Sequence, residues 1–318
     1  MVKKYTRIVL SLTITFVAFI FLFRNISFDQ VFTSMIKAEA KIILFATFIA
    51  VFNGLFISSF RWKLILNKMD CDISWKEALF IKAGSDPIVS VMPFKTGEIS
   101  RILYLKHIKN ILPEKTIFSI LIEYFLNFIS VLFFIFLGGV LWLFQGGGVF
   151  LNSHRSLFFC SLVKKKVSSE NKWMNNLRKF FQNCFKNRKV FLNKKVLFYS
   201  FLMGFFELVC VYLIFQAMNI SVPLFAMLIY VPLIILFSSI PITFLGLGIR
   251  ESLVVFLFLK YASSEKLLAA GILYSFAESI LPMLINLSFT PFFINKIITS
   301  REEYSMKIKK HNRINENA

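Results

Sequence analysis

Two short stretches of this 318-residue chain set helix-breaking and charged residues among apolar ones: PFKTGEISR at 93–101 and PITFLGLGIRES at 241–252. Each carries a Pro, then a Thr, then Gly, then a Glu and an Arg within a few residues of each other. This is a combination suited to holding an anion. A proline stops a helix where a break is wanted, and glycines let backbone approach a ligand closely. The N-terminus of the half-helix that follows presents unpaired N–H groups, which favour a group such as phosphate. Arg101 and Arg250 add planar forks that grip phosphate through two hydrogen bonds. Glu98 and Glu251 either neutralise those arginines or contact an amine on the substrate. The plainer alternative is that both Glu/Arg pairs sit at headgroup level as interfacial charges. Pro93, Gly97, Glu98 and Arg101, with Pro241, Gly246, Gly248, Arg250 and Glu251, form the candidate binding set.

Further acids lie in or beside apolar runs: Asp86, Glu123, Glu207 and Glu278. A charge at the centre of a bilayer costs roughly 2.5–3.5 kcal/mol even on the gentler insertion scale, so such acids are functional candidates or paired structural carboxyls. Asp86, beside Pro87, belongs to the first break or simply starts its turn.

The elements that must position these residues are membrane helices. The chain is 57% hydrophobic and only 17% charged, with 41 phenylalanines and a mean hydropathy of +0.70. A soluble domain carries about 25% charged residues. Long apolar runs recur from residue 8 to residue 295, so the fold class is all-α, a polytopic helical membrane protein. The short alternating segments of a transmembrane barrel are not seen. The runs 8–23, 42–60, 116–144, 149–163, 196–218 and 266–295 read as about six full spans. The stretches around the two breaks, roughly 78–94 and the pair 222–240 and 253–262, are too short or too polar. They read as broken or re-entrant helical pairs, giving eight hydrophobic segments in two pseudo-repeat halves. Paired interruptions in the two halves of a membrane chain point to a transporter site near the middle of the bilayer.

One membrane domain is expected over 1–300: a first half at 1–163, a basic amphipathic cytoplasmic linker at 164–195 and a second half at 196–300. A basic tail, 301–318, follows. The linker holds eleven Lys/Arg against one Glu, with apolar residues at helical spacing, which suits a helix lying on anionic lipid. MVKKYTR before the first run resembles the start of a signal peptide, but no small-x-small site follows, so a retained first helix is expected. Basic residues before the first run, in the linker and in the tail place both termini in the cytoplasm, in a plasma (cytoplasmic) membrane. The same bias accounts for the net charge of +20 without nucleic acid.

Other chemistry finds little support. Four scattered cysteines and three scattered histidines make no zinc site, and no cofactor or metal is expected. Asp70-Cys71-Asp72 is formally a D-x-D, but Ser74-Trp75-Lys76-Glu77 directly after it reads as a capping box opening a helix. No G-x-S-x-G, Walker A or H-E-x-x-H motif occurs.

Taken together, the breaks resemble those of the lysylphosphatidylglycerol synthase transmembrane-region family, the flippase half of a bacterial synthase/flippase. Its first motif, a proline followed by G-E and a nearby Arg, matches Pro93, Gly97, Glu98 and Arg101. Its second, a proline followed by G-G-x-G-x-R-E, matches Pro241, Gly246, Gly248, Arg250 and Glu251, with Leu245 in place of the first Gly. The family's early Glu in the next span matches Glu123; Tyr124 stands where an Arg commonly follows. Ser90 lies near the place of the Asn that usually precedes the first proline. The resemblance implies movement of a lipid between leaflets. The synthase's soluble aminoacyl-transferase domain has no counterpart in the residues after the last run, so the expectation is a non-enzyme. The expected partners are a membrane phospholipid with an anionic headgroup and a separate lipid-modifying enzyme. A membrane-embedded transferase of lipid or glycan assembly, or an accessory subunit of one, is the alternative.

Overall fold

Apolar side chains cover the outside of this protein as well as its inside, with Leu44, Phe48, Phe136, Phe205 and Phe292 all exposed. That is the arrangement expected when the surrounding solvent is lipid and every backbone polar group must be satisfied within helices. The computed structural model describes residues 26–145, 190, 193–239 and 246–302. The apolar runs at 8–23 and 149–163, most of the linker, Pro241 and the tail beyond residue 302 lie outside the described residues.

Among the described residues all regular structure is helical. A short helix, α1 (Phe28–Ile36), leads into α2 (Ala40–Asn67), which contains a π-bulge at Asn53–Ile57. Next come α3 (Trp75–Val91), a 3₁₀ turn at Pro93–Glu98, α4 (Ile99–Lys109) and the long α5 (Pro113–Phe144). The second part holds α6 (Lys194–Ala217), α7 (Leu224–Ser238), α8 (Ile249–Phe258) and α9 (Ser264–Leu287). A second π-bulge interrupts α9 at Phe276–Ile280, and a last helical segment runs from 290 to 302.

Four of these helices, α2, α5, α6 and α9, are long and apolar enough to cross a membrane. They coincide with the runs at 42–60, 116–144, 196–218 and 266–295. The helices flanking the breaks are shorter, at 17 residues for α3, 15 for α7 and 10 for α8. At 1.5 Å per residue none reaches the ~30 Å of a bilayer core. Of the capping box the Ser74 half is present, its hydroxyl accepting from the Glu77 N–H at 3.2 Å, while the Glu77 carboxylate pairs with Lys109 at 2.8 Å.

Two apolar cores sit at opposite ends of the bundle. One joins α1 and the start of α2 to the end of α6, the starts of α7 and α9, and α8. The other joins the end of α2 to α3, α4, the start of α5 and Phe293. Small residues set the closest approaches. A Cβ at Gly138 of α5 would run into Leu228 and Ile229 of α7, so that pair packs closely along its length. At the first break the chain doubles back so tightly that a Cβ on Gly97 would strike the backbone of Ile88 and Val89. Gly97 is thus required by its own chain, before any ligand is considered.

Gly97→Ala should therefore destabilise the protein by about 1–3 kcal/mol, the usual cost of overpacking. Gly139→Ala, whose new methyl meets nothing within 4 Å, should be neutral or gain up to about 1 kcal/mol. Thermal unfolding of the detergent-purified variants checks this pair, and equal melting temperatures would count against the close approach.

Candidate functional site

Glu123 lies on α5, one side chain among the apolar residues of a spanning helix, and it is 5% exposed. Three cations from three other helices converge on it. Lys82 of α3 reaches Oε1 at 2.7 Å, Arg61 of α2 reaches the same oxygen at 3.5 Å, and Arg101 of α4 reaches Oε2 at 3.5 Å. Each cation is held a second time. Arg61 donates to Asn127 Oδ1 at 2.6 Å and to Ser200 Oγ of α6 at 3.4 Å. Lys82 donates to the hydroxyl of Ser58, and Arg101 Nε donates to Ser85 Oγ at 2.9 Å. Burial of this many charges is tolerated only because almost every donor has an acceptor.

Arg101 also pairs with Glu98 at 3.1 Å, and Glu98 accepts from the Tyr124 hydroxyl at 2.9 Å. Tyr124 in turn carries Lys95, whose Nζ stands 4.5 Å from the ring centroid. Lys95 takes a left-handed backbone conformation, φ 53°, unusual for a residue with a side chain. Among the described residues no carboxylate lies within 4 Å of its ammonium. Glu98 and Arg101 of the first motif are thus brought together with Glu123, and through Tyr124 they position Lys95. Asp86 joins the same region from α3, accepting from Asn286 of α9 at 3.0 Å.

The second motif is built differently. Gly246 and Gly248 have φ of 74° and 85°, backbone conformations that admit glycine readily, and they turn the chain into α8. Glu251 folds back over that start: its Oε2 accepts the Gly248 N–H at 2.6 Å, and its Oε1 accepts from the Ser275 hydroxyl. The anion at the N-terminus of α8 is therefore the protein's own carboxylate. Arg250 donates to Ser279 Oγ at 2.9 Å and lies 4.7 Å over the ring of Tyr274, whose hydroxyl donates to Glu207 at 3.2 Å. Glu278, one turn beyond Tyr274 on α9, lies in the second π-bulge.

Between the two groups lies a cavity of ≈ 470 Å³ walled by α5, α6 and α7. Lys95, Tyr124 and Asn127 line it from the first group, and Glu207 from the second. Its walls are otherwise mainly apolar, including Phe128, Val131, Phe134 and Ile235, with Ser130 and Ser239 as small polar points. Arg101 and Arg250 are not among its lining residues. Among the described residues no cluster of three or more His, Cys, Asp or Glu stands ready for a metal.

A comparison with protein families bears on the chain as a whole and not on these contacts. The model of the lysylphosphatidylglycerol synthase TM region matches residues 8–285. The chain belongs to that family. No curated protein matches it closely enough to serve as a relative. Family membership and the four long helices make this a multi-pass membrane protein.

Several residues of this charged cluster escape sequence reasoning. Lys82 is legible in retrospect, since a lysine between Ile81 and Ala83 in an apolar run carries the same penalty as the glutamates. Arg61 is not, because an arginine closing a span reads as an ordinary positive-inside residue. Lys95 sits inside the quoted motif, yet nothing in the spacing marks it off from Arg101.

Glu123→Gln leaves three buried cations without their shared carboxylate and should cost roughly 3–5 kcal/mol. Removing a cation as well, in Lys82→Met/Glu123→Gln, should recover part of that loss, since the two sites are in contact. A double-mutant cycle on thermal unfolding measures it; additive losses would show that the hub is not cooperative.

Proposed function

We propose that this protein moves a phosphate-bearing, anionic phospholipid between the leaflets of the cytoplasmic membrane, as a flippase-like transporter and not as an enzyme. The observation that carries the reading is Lys95: an ammonium with no carboxylate within 4 Å among the described residues, facing a ≈ 470 Å³ cavity between transmembrane helices. A cavity of that size falls in the range of small-molecule sites, about 300–1,000 Å³. Its composition suits a headgroup as well. Lys95 supplies charge and three donors for phosphate oxygens, the Asn127 amide and Ser130 supply neutral polar contacts, and the phenylalanines accept what is apolar.

In this reading the motif residues have divided roles. Arg101 and Glu98 hold Tyr124, which shelves Lys95, so they act on the headgroup through their neighbours. Gly97 permits the fold-back that places Lys95, while Gly246, Gly248 and Glu251 shape the start of α8. Arg250 does not line the cavity, so it meets the substrate only when the bundle rearranges. The two breaks then correspond as halves of a pseudo-repeat with about six full spans, both termini lie in the cytoplasm, and a separate lipid-modifying enzyme supplies or uses the lipid.

Liposomes with a fluorescent anionic phospholipid in one leaflet test the reading. Wild-type protein should accelerate transfer. Lys95→Ala should slow it roughly tenfold or more, the loss of one charge-assisted contact of about 1.5–3 kcal/mol, and Lys95→Arg should restore much of the rate. Equal transfer by wild type and Lys95→Ala would remove Lys95 from the site, and transfer no faster than in empty liposomes would remove the function.

A further inference from the structure

The two charge groups that border the cavity are electrically opposite. Among the described residues the first sets Arg61, Lys82, Lys95 and Arg101 against Asp86, Glu98 and Glu123. The second has a single cation, Arg250, among three carboxyls, Glu207, Glu251 and Glu278. Glu251 is accounted for by the helix start and by Ser275. Glu207 and Glu278 are left with one arginine between them.

Their depth makes the imbalance matter. Glu207 stands thirteen residues from Lys194 and ten from Ala217 on α6. Glu278 stands fourteen from Ser264 and nine from Leu287 on α9. At 1.5 Å per residue each is about 14–21 Å from either end of its span, near the middle of the bilayer. Two carboxylates sharing one cation at that depth leave an uncompensated charge in the most costly place available.

Independent features point to a ligand there. Arg250 is 8% exposed, yet its Nε has no hydrogen-bond partner among the described residues. Glu278 Oε2 is also shut off from the surface without a partner there. The groups that face the pair are Arg250 from α8, Tyr274 from α9 and Cys210 from α6, with the two acids facing each other. Arg61 of α2 reaches α6 two turns away, at Ser200, and Lys95 lies across the cavity. Of the two acids Glu207 lines the cavity itself, where lipid transfer is proposed above.

We infer that Glu207 and Glu278 form a mid-membrane proton-binding site that couples the cavity to a proton gradient. One proton adds to a Glu207 oxygen through the cavity, converting carboxylate to carboxylic acid, and the pair then matches the single charge of Arg250. Loss of that proton restores the repulsion between the two acids and loosens α6 from α9, where the Tyr274 hydroxyl joins α9 to Glu207. The inference rests on the lipid-transfer reading for its consequence, but the site stands or falls by its own proton.

Two measurements separate these. In the purified full-length protein, infrared difference spectra across a pH titration should show a protonated-carboxyl band that Glu207→Gln and Glu278→Gln each remove or shift; an unchanged band in both variants overturns the site whatever the protein transports. In liposomes with labelled lipid, an imposed pH gradient should change the wild-type transfer rate, by at most about tenfold per unit for one proton. Glu207→Gln should abolish that response, with size exclusion showing that it and Glu278→Gln elute as the wild type does. Lipid transfer that ignores the pH gradient, or follows a sodium gradient in its place, overturns the coupling and leaves the transfer itself intact. An absence of any transfer overturns the coupling together with the reading it depends on, while the infrared band still reports on the proton.

Discussion

One carboxylate holds the first part of this membrane protein together. Glu123 gathers Arg61, Lys82 and Arg101 from three different helices, and it is the one carboxylate that all three cations share. A lone cation in lipid is expensive, and a lone carboxylate equally so. Their common solution is geometric: the packing of α2, α3, α4 and α5 brings all four within reach of one another. Trp62 adds to it, lying 5.6 Å under the Arg101 guanidinium while its ring N–H donates to Ser119 at 3.1 Å. The surrounding apolar packing fills space around this polar centre; the centre decides the register.

From that constraint the first break acquires its form. Arg101 is fixed by Glu123 and Ser85, so Glu98, three residues earlier, is fixed by Arg101. The turn between α3 and α4 must then be tight, and Gly97 permits it by lacking a Cβ against Ile88 and Val89. Lys95 projects from the middle of this turn with nowhere to go but the Tyr124 ring and the cavity. A structural ion network thereby delivers the Lys95 ammonium to the space between α5, α6 and α7. The second break lacks such a hub. Its glycines and Glu251 satisfy the start of α8 locally, and its arginine leans on an aromatic ring. The electrostatic contrast across one cavity is the feature that most distinguishes the two motifs, which look alike as strings of letters.

The π-bulges fit the same picture. Each inserts an extra residue into a spanning helix, and such bulges concentrate at functional sites. The one in α2 turns Asn53 towards α6, where its amide donates to the Met203 carbonyl at 3.1 Å, while the one in α9 carries Glu278. Helix α6 is therefore addressed by polar groups from α2 and α9, Asn53 and Tyr274, although its own sequence is almost wholly apolar around Glu207.

Membrane character, helical class and the four long described spans were legible in the sequence, because the cost of exposing backbone or charge to lipid acts on each segment separately. Local chemistry was equally legible where it stayed local: the Ser74 cap, the turns at Pro93 and at Gly246 and Gly248, and the need to account for every intramembrane acid. What the sequence could not reveal is which charge answers which. Glu123 and its three partners are separated by 22 to 62 residues along the chain, and no spacing rule links them. Spacing also placed Arg101 and Arg250 as equals, whereas packing buries one in an ion network and sets the other against Tyr274, leaving Lys95 to face the cavity. Segment identity is decided by the free energy of moving one stretch of chain into lipid, and one-dimensional order carries that information. Partner choice depends on distances across helices, and these exist only once the bundle has formed.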